Sequence, residues 1–199
     1  MARPRGDHAK RRQDVVAAAW RVIVRDGLEE ATVRAVAREL GMATKAVTRY
    51  FQSKEELLVL ALDQIVERQI RLSLRRAGPL DSLAALERLL TSGLPIRDEV
   101  RRGWRIWVAF LGRAVGNPAL ELEHRRRYDR LRLLLLDVLK ELTRRGIVTR
   151  ERATTTEADR LLALIDGIGV REAVNPGSIP VTRQRRLVSR AVRDLVDRG

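Results

Sequence analysis

The chain has 199 residues, of which 45% are hydrophobic and 33% are charged, which suits a packed core and excludes an intrinsically disordered chain. Its 40 Lys and Arg outnumber 26 Asp and Glu, and the net charge of +14 favours a polyanionic partner such as nucleic acid. The lack of Cys excludes disulfides and thiolate chemistry, and without a membrane-length apolar run or a signal peptide we expect a cytoplasmic protein.

The first quarter of the chain is its most basic part. Residues 1–54 hold 12 basic and 6 acidic residues, and residues 1–12 alone hold five basic residues against Asp7. Such a tail can follow phosphates or enter a minor groove, or it can serve only to keep the chain soluble. Both interpretations remain open.

The spacing of apolar residues predicts an all-α protein of about nine helices. Within the segments that Gly and Pro residues separate, apolar residues recur at spacings of three and four residues. This spacing is typical of helices, whereas strands would show a spacing of two. Thr32 and Ser53 are expected N-caps, and Gly27 is an expected helix end. The predicted helices cover 10–26, 32–40, 44–51, 53–75, 81–92, 97–115, 118–145, 155–174 and 181–197.

Residues 32–51 have the pattern of a helix-turn-helix. Gly41 tolerates the positive φ of a tight turn, and Ala37 is small enough for a close helix crossing. The expected small core consists of Val36, Leu40, Met42, Val47 and Tyr50. An ordinary helical hairpin with a solvated basic face is the alternative.

The second helix of this motif predicts a DNA-contacting face. If Val47 and Tyr50 point inward, the residues between them point away and can reach base edges and phosphates in a major groove. These outward residues are Thr44, Lys45, Thr48 and Arg49. Lys54, at the start of the next helix, suits a phosphate oxygen.

Residues 12–60 resemble the DNA-binding domain of the TetR family of bacterial one-component regulators. The matching text is A-A-W-R-V-I-V-R-D-G-L-E-E-A-T-V-R-A-V-A-R-E-L-G-M-A, followed by V-T-R-Y-F-Q-S-K-E-E-L-L. The resemblance implies backbone contacts from Thr32, Tyr50 and Lys54, and positions nearest the bases for Arg34, Thr44 and Lys45. Many family members carry a phosphate-contacting Tyr where this chain has Thr48, whose hydroxyl has a shorter reach.

The later part of the chain resembles the ligand-binding domain of the branch that includes the choline-sensing BetI repressors. The similar stretches are W-V-A-F-L-G-R-A-V-G-N-P-A-L, R-Y-D-R-L-R and L-L-A-L-I-D-G-I-G. The resemblance implies a helical domain in residues 59–199, following a DNA-binding domain in residues 1–58. It also implies a homodimer in which the last two long helices of each subunit form a four-helix bundle.

Two apolar stripes are compatible with that dimer. One consists of Leu161, Leu164, Ile165 and Ile168, and the other of Leu187, Val188, Ala191, Val192, Leu195 and Val196. The stripes could instead close the core of a single subunit. A twofold dimer would present its recognition helices about 34–36 Å apart, which matches a palindromic operator.

An aromatic cluster is the candidate effector site. Trp104, Trp107 and Phe110 recur every three residues, and Tyr128 lies on the next helix. Aromatic faces can hold a cation or a flat apolar ligand, although such stripes are usually core. Asp166, inside an apolar run, could bind a ligand amine, pair with an Arg or cap a kink at Gly167. His124, within the sequence Glu-His-Arg-Arg-Arg, is expected on a solvated face.

These features predict a dimeric, ligand-responsive transcriptional repressor that binds duplex DNA and a small-molecule effector. A sequence-tolerant architectural DNA-binding protein without an effector is the alternative. We expect no enzyme activity, cofactor or metal site, since the chain has no Gly-rich phosphate loop and no His pair at metal-ligand spacing.

Overall fold

The computed structural model describes residues 5–51 and 53–196, and over these residues the fold is all-α as predicted. Nine α-helices occur within these ranges, with one 3₁₀ turn at Arg150–Arg152 between the seventh and the eighth. The helices are α1 Arg5–Asp26, α2 Val33–Leu40, α3 Thr44–Val47, α4 Lys54–Ala77, α5 Leu83–Ser92, α6 Asp98–Ala114, α7 Pro118–Arg144, α8 Thr155–Val174 and α9 Val181–Arg193.

The expected helix caps are present. The Thr32 hydroxyl oxygen accepts the backbone N–H of Ala35 at 3.1 Å, and the Ser53 oxygen accepts that of Glu56 at 3.1 Å. Each bond satisfies an N–H that has no partner within its own helix. The sequence therefore marks the starts of α2 and α4 correctly.

The predicted third helix is wrong in length, because α3 is a single turn that ends at Val47 rather than at residue 51. The Thr48 hydroxyl donates to the backbone carbonyl of Lys45 at 3.1 Å, and the Tyr50 N–H donates to the carbonyl of Val47 at 3.0 Å. A Thr side chain that bonds to the preceding turn competes with helix continuation. The chain then turns so that Phe51, which is 7% exposed, enters the core.

Two clusters of buried residues form the interior. One joins α1–α4 to the second half of α6, where Ile106, Phe110 and Ala114 take part. The other joins α5, α7, α8 and α9. Helix α4 runs without a break through residue 58, so it connects the helix-turn-helix to the rest of the molecule.

The apolar stripes of the last two helices lie largely inside this subunit. Their buried members are Leu161, Ile168, Val188, Ala191, Val192 and Leu195. Apolar surface remains at Val174, Val181 and Leu187, which are 71%, 43% and 37% exposed. Over the ranges given above, no helix has both the length and the apolar character needed to cross a membrane.

Candidate functional site

The helix-turn-helix is held by a tight turn and a small apolar core. Gly41 has φ 62° and ends α2, and the Met42 N–H donates to the Ala37 carbonyl at 2.9 Å. This bonding closes the end of α2 in the left-handed manner that favours glycine. Val36 and Val47 are fully buried between the helices, and Ala37 is 3% exposed at their crossing.

Six predicted DNA contacts lie on the exposed surface of this unit: Thr32, Arg34, Thr44, Lys45, Thr48 and Arg49. Tyr50 is half-buried and packs against the core. The Lys54 side chain and residues 1–4 of the basic tail lie outside the part of the chain that the structure describes. The motif therefore presents a polar and basic surface around α3.

The two threonine hydroxyls differ in what they can still bind. The Thr32 oxygen accepts its capping bond, so its proton is free to be donated to a phosphate. The Thr48 proton is already donated to the Lys45 carbonyl. Donation from Thr48 to any other acceptor requires that bond to break, whereas donation from Thr32 does not require its capping bond to break.

Ion pairs fix α2 against α1. The Glu39 carboxylate accepts Arg25 at 2.8 Å and Arg21 at 2.7 Å. These hydrogen bonds, from Arg25 and then from Arg21, hold the pKa of Glu39 below its usual range. Both arginines are exposed and Glu39 is partly exposed, so we assign these ion pairs an orienting role rather than a large stabilisation.

Two arginines connect α6 and α7 to the turn after α1 and to α4. Arg113 of α6 lies 3.0 Å from Glu29, in the turn after α1, and 3.9 Å from Glu55 of α4. Arg127 of α7 is 1% exposed and donates to Asp63 and to the Val59 carbonyl, both on α4. A displacement of α6 or α7 would therefore act on α4 directly.

A cavity of about 480 Å³ lies among α1, α4, α5, α6, α7 and α8. Most of its walls are aliphatic and aromatic side chains, which is usual for a small-molecule site. Trp104, Trp107, Tyr128 and Asp166 all line it. Trp20 of α1, which we did not predict, is also in the wall, so all three tryptophans of the chain face this cavity.

Phe110 lies in a different place. It is 1% exposed, belongs to the N-terminal core, and does not line the cavity. The Arg127 guanidinium lies over its ring, 5.3 Å from the centroid. Phe110 therefore supports the buried arginine, and it stacks on Trp107 of the cavity wall with the ring centroids 5.2 Å apart.

Asp166 and Tyr128 form the polar part of the cavity wall. The Tyr128 hydroxyl donates to the Asp166 carboxylate. Burial raises the pKa of Asp166, partly offset by this hydrogen bond, and burial together with the neighbouring carboxylate raises the pKa of Tyr128. The hydroxyl thus stays protonated and donates to the carboxylate.

Trp104 is fixed by two neighbours. Its indole N–H donates to the Gly93 carbonyl at 2.8 Å. Its ring lies against Gly169 of α8, where any Cβ would overlap it. Gly169, the second glycine of the sequence L-I-D-G-I-G, thereby allows α6 to approach α8 closely.

The expected solvated position of His124 is wrong. His124 is half-buried and stacks with Tyr128 and Trp107 at centroid distances of 4.5 and 5.6 Å. Burial, with a smaller effect from the charge of Arg127, lowers its pKa. Its spacing of four from Tyr128 places both rings on one helix face, a signal that the neighbouring arginines obscured.

A helix-turn-helix joined to a helical domain with an aromatic-lined cavity defines a class of one-component transcriptional regulators. Residues 15–61 match the family described as bacterial regulatory proteins of the tetR family. Residues 82–197 match the C-terminal domain described as that of BetI-type transcriptional repressors. The chain belongs to the TetR family, with a C-terminal domain of BetI type.

Relatives agree with this assignment along the whole chain. The transcriptional regulator PksA of Bacillus subtilis is 27% identical over 95% of this chain and 91% of its own length. The regulator BetI of Vibrio vulnificus is 28% identical over 90% of this chain and 89% of its own. Both relatives are named as regulators of transcription rather than as enzymes.

Solved structures share the fold. A transcriptional regulator from Rhodococcus has a TM-score of 0.74 at 26% identity, covering 92% of this chain and 95% of its own. A regulator from Saccharomonospora viridis, solved in complex with choline, has a TM-score of 0.79 at 24% identity, covering 96% and 100%. The second likeness concerns the fold alone.

Proposed function

We propose that this protein is a homodimeric transcriptional repressor that leaves a palindromic operator when a small molecule binds its cavity. The observation that carries the proposal is a cavity at α4, α6 and α7 together with two ion pairs: one joins α6 to Glu29 of the helix-turn-helix unit, and the other joins α7 to Asp63 of α4, the helix that begins in that unit. The family assignment supports the same division of roles. We accordingly divide the chain into a DNA-binding unit, residues 1–58, and an effector-binding and dimerisation unit, residues 59–199.

In this proposal α3 enters the major groove. Lys45, Thr44 and Arg34 lie nearest the bases, while Thr32, Tyr50 and Lys54 contact the backbone. Arg49 adds a phosphate contact, and Thr48 adds one only if its hydroxyl leaves the Lys45 carbonyl. The exposed state of the α2–α3 residues supports this assignment.

The dimer would form through α8 and α9. The exposed side chains of Val174, Val181 and Leu187 support this surface, since apolar groups of this size gain most from being covered. Most of the two predicted stripes is already buried within one subunit, so the intersubunit contact would use their exposed flank.

Effector release would follow from a shift between two conformers. A ligand among α4, α6, α7 and α8 favours the conformer with the roomier cavity, and α4 transmits the change to α3. The distance between the two recognition helices then no longer matches successive major grooves. The ligand shifts the equilibrium only by its difference in affinity for the two conformers.

The test is an in vitro selection of the purified protein on a random duplex pool near physiological salt. We expect enrichment of a palindrome whose half-sites are about one helical turn apart. Binding without enrichment would contradict the proposal and would favour the sequence-tolerant architectural protein. The enriched duplex then serves as the probe for ligand-induced release.

A further inference from the structure

We propose that the cavity binds an elongated organic monocation, with a quaternary ammonium or amine head at Asp166 and a long apolar body along the aliphatic wall. This inference rests on the proposed effector site and specifies the chemistry of its ligand. Three independent features carry it: an uncompensated carboxylate, aromatic faces beside it, and more apolar volume than a small cation fills.

The carboxylate has no cationic partner. Its hydrogen-bond donor is the Tyr128 hydroxyl, and over the described ranges no basic side chain forms an ion pair with Asp166. The other acid in the cavity wall, Glu99, is already paired with Arg76 at 2.9 Å and with Arg97 at 3.3 Å. Asp166 is therefore the wall carboxylate that a ligand cation would neutralise.

The aromatic rings suit the same head group. Trp104, Trp107 and Tyr128 line the cavity together with Asp166. Ring faces attract cations, most strongly where water is displaced. A carboxylate beside indole and phenol rings offers a cation both charge neutralisation and ring contact, whereas it repels an anion.

The volume requires a body larger than the head. A cavity of about 480 Å³ corresponds to roughly sixteen water volumes and lies within the range that holds drug-sized ligands. The rest of the lining is rich in Leu, Ile and Val side chains, most of them from α4, α5 and α7. Burying an alkyl chain there contributes about 0.8 kcal/mol per methylene. A head group alone would leave most of this surface uncovered.

Two arginines in the wall define the competing ligand class. Arg68 and Arg102 line the cavity but are exposed, and an anionic amphiphile would have to use them. An exposed guanidinium keeps its water and gains little from a ligand anion. The half-buried carboxylate is the stronger determinant, so we assign the cation.

The experiment compares decyltrimethylammonium, decanol and decanoate, which share a tail, with choline, which has the head without the tail. All probes are used below their micelle concentrations. The fluorescence of the three tryptophans reports occupancy, because all of them line the cavity, and titration calorimetry gives the affinity. We expect decyltrimethylammonium to bind about ten-fold more tightly than decanol or decanoate. We expect the affinity for decyltrimethylammonium to exceed the affinity for choline by about 100-fold or more.

Two pairs of variants locate the head and the tail. Asp166→Asn should lower the affinity for decyltrimethylammonium about ten-fold and leave the affinity for decanol unchanged. Asp137→Asn, an exposed carboxylate of α7 outside the cavity, is its control. Gly103 lines the cavity, so the leucine side chain of Gly103→Leu should fill part of it and weaken the binding of every probe that has a tail. Gly112→Leu, at an exposed position of α6 outside the cavity, should leave this binding unchanged.

Tighter binding of decanoate or decanol would overturn the cation assignment. Choline binding as tightly as decyltrimethylammonium would overturn the elongated body, and binding of no probe would overturn both. Each of these results leaves the regulator function standing if a palindrome is enriched from random DNA. Helical circular dichroism of every variant separates loss of binding from loss of fold.

Discussion

Arg127 of α7 and Asp63 of α4 form an ion pair of 3.0 Å in which the arginine is almost completely buried, at 1% exposure, and the carboxylate is at the surface. The guanidinium also donates to the Val59 carbonyl at 2.9 Å and lies over the Phe110 ring. Its Nη1 is buried and has no hydrogen-bond partner among the described residues. One cation therefore joins α4, α6 and α7.

Replacing Asp63 by Ala should destabilise the protein more than its surface position suggests. The change leaves the buried Arg127 charge with the Val59 carbonyl and the Phe110 ring but without a counter-charge from Asp63, and the loss of a partner to a buried charge is costly. We expect the free energy of unfolding in urea to fall by about 2 kcal/mol, because Asp63 is partly exposed.

Glu67→Ala is the matched control. Glu67 and Asp63 lie on the same helix and both accept Arg130, but the partners of Glu67 among the described residues, Arg130 and Arg71, are exposed. Its removal should change stability by no more than about 0.5 kcal/mol. Equal losses for the two variants would show that Arg127 does not depend on Asp63.

Gly169→Ala should destabilise the protein by about 2 kcal/mol, although alanine favours helices. The added methyl group would overlap the Trp104 ring, which is held by its bond to the Gly93 carbonyl. Gly112→Ala, at an open helical position, should instead stabilise by about 0.5–1 kcal/mol. Thermal unfolding of both variants measures the contrast, and a shift of the same sign in both would contradict the packing described.

Glu172 should make stability depend on pH in the acid range. Its carboxylate is 8% exposed and anchors the turn between α8 and α9 by accepting the Gly177 N–H, the Ile179 N–H and the Ser178 hydroxyl. Burial alone would raise its pKa, but the hydrogen bonds from Gly177, Ile179 and Ser178 outweigh burial and lower it.

A lowered pKa in the folded state means that this stabilisation is complete above the unfolded pKa, about 4.3, and is lost as the pH falls through the folded value. Glu172→Gln should therefore cost about 1–2 kcal/mol at pH 7, and the difference from the native protein should shrink below about pH 4. Glu121→Gln, an exposed carboxylate that accepts the Gly116 N–H at 3.0 Å, should cost little at either pH. A difference for Glu172→Gln that stays constant from pH 7 to pH 3 would contradict the ionised anchor.

Lys45 and Lys54 should contribute differently to DNA binding. Lys45→Ala should change which sequence is preferred, because we place it against base edges. Lys54→Ala should weaken binding to all duplexes. It should also reduce the slope of the logarithm of the binding constant against the logarithm of the salt concentration by about one. Lys140→Ala, an exposed residue near the end of α7, serves as the control for lost charge. If Lys45→Ala and Lys54→Ala both weaken binding uniformly, the placement of α3 in the groove is wrong.

The sequence predicts helix caps and turns better than it predicts which polar side chains are buried. The caps at Thr32 and Ser53 and the turn at Gly41 are local, since the residues that form them are a few positions apart. The burial of Arg127 could not be read from a run of three arginines, because its partners Asp63 and Val59 are more than sixty residues away in the chain.

The cavity illustrates the same limit. Trp104 and Trp107 could be proposed from helical spacing, and Asp166 from its place in an apolar run. With Tyr128 of the next helix, they do line one cavity. Trp20 could not be predicted as a cavity residue, because it reaches the cavity through the packing of α1 against α4 and α6. Phe110 has the same spacing as its neighbours, yet the rotation of α6 turns it toward the N-terminal core.

A dimer that reads a palindrome is tested most directly with the duplex enriched by selection, with and without five base pairs inserted between its half-sites. Two recognition helices in a rigid dimer read half-sites on one side of the DNA, and half a turn of extra duplex rotates one half-site to the opposite side. We expect fluorescence anisotropy to show at least a hundred-fold weaker binding to the inserted duplex. The same insertion placed outside the half-sites should have no effect. Equal affinity for both duplexes would contradict a dimer that reads a palindrome.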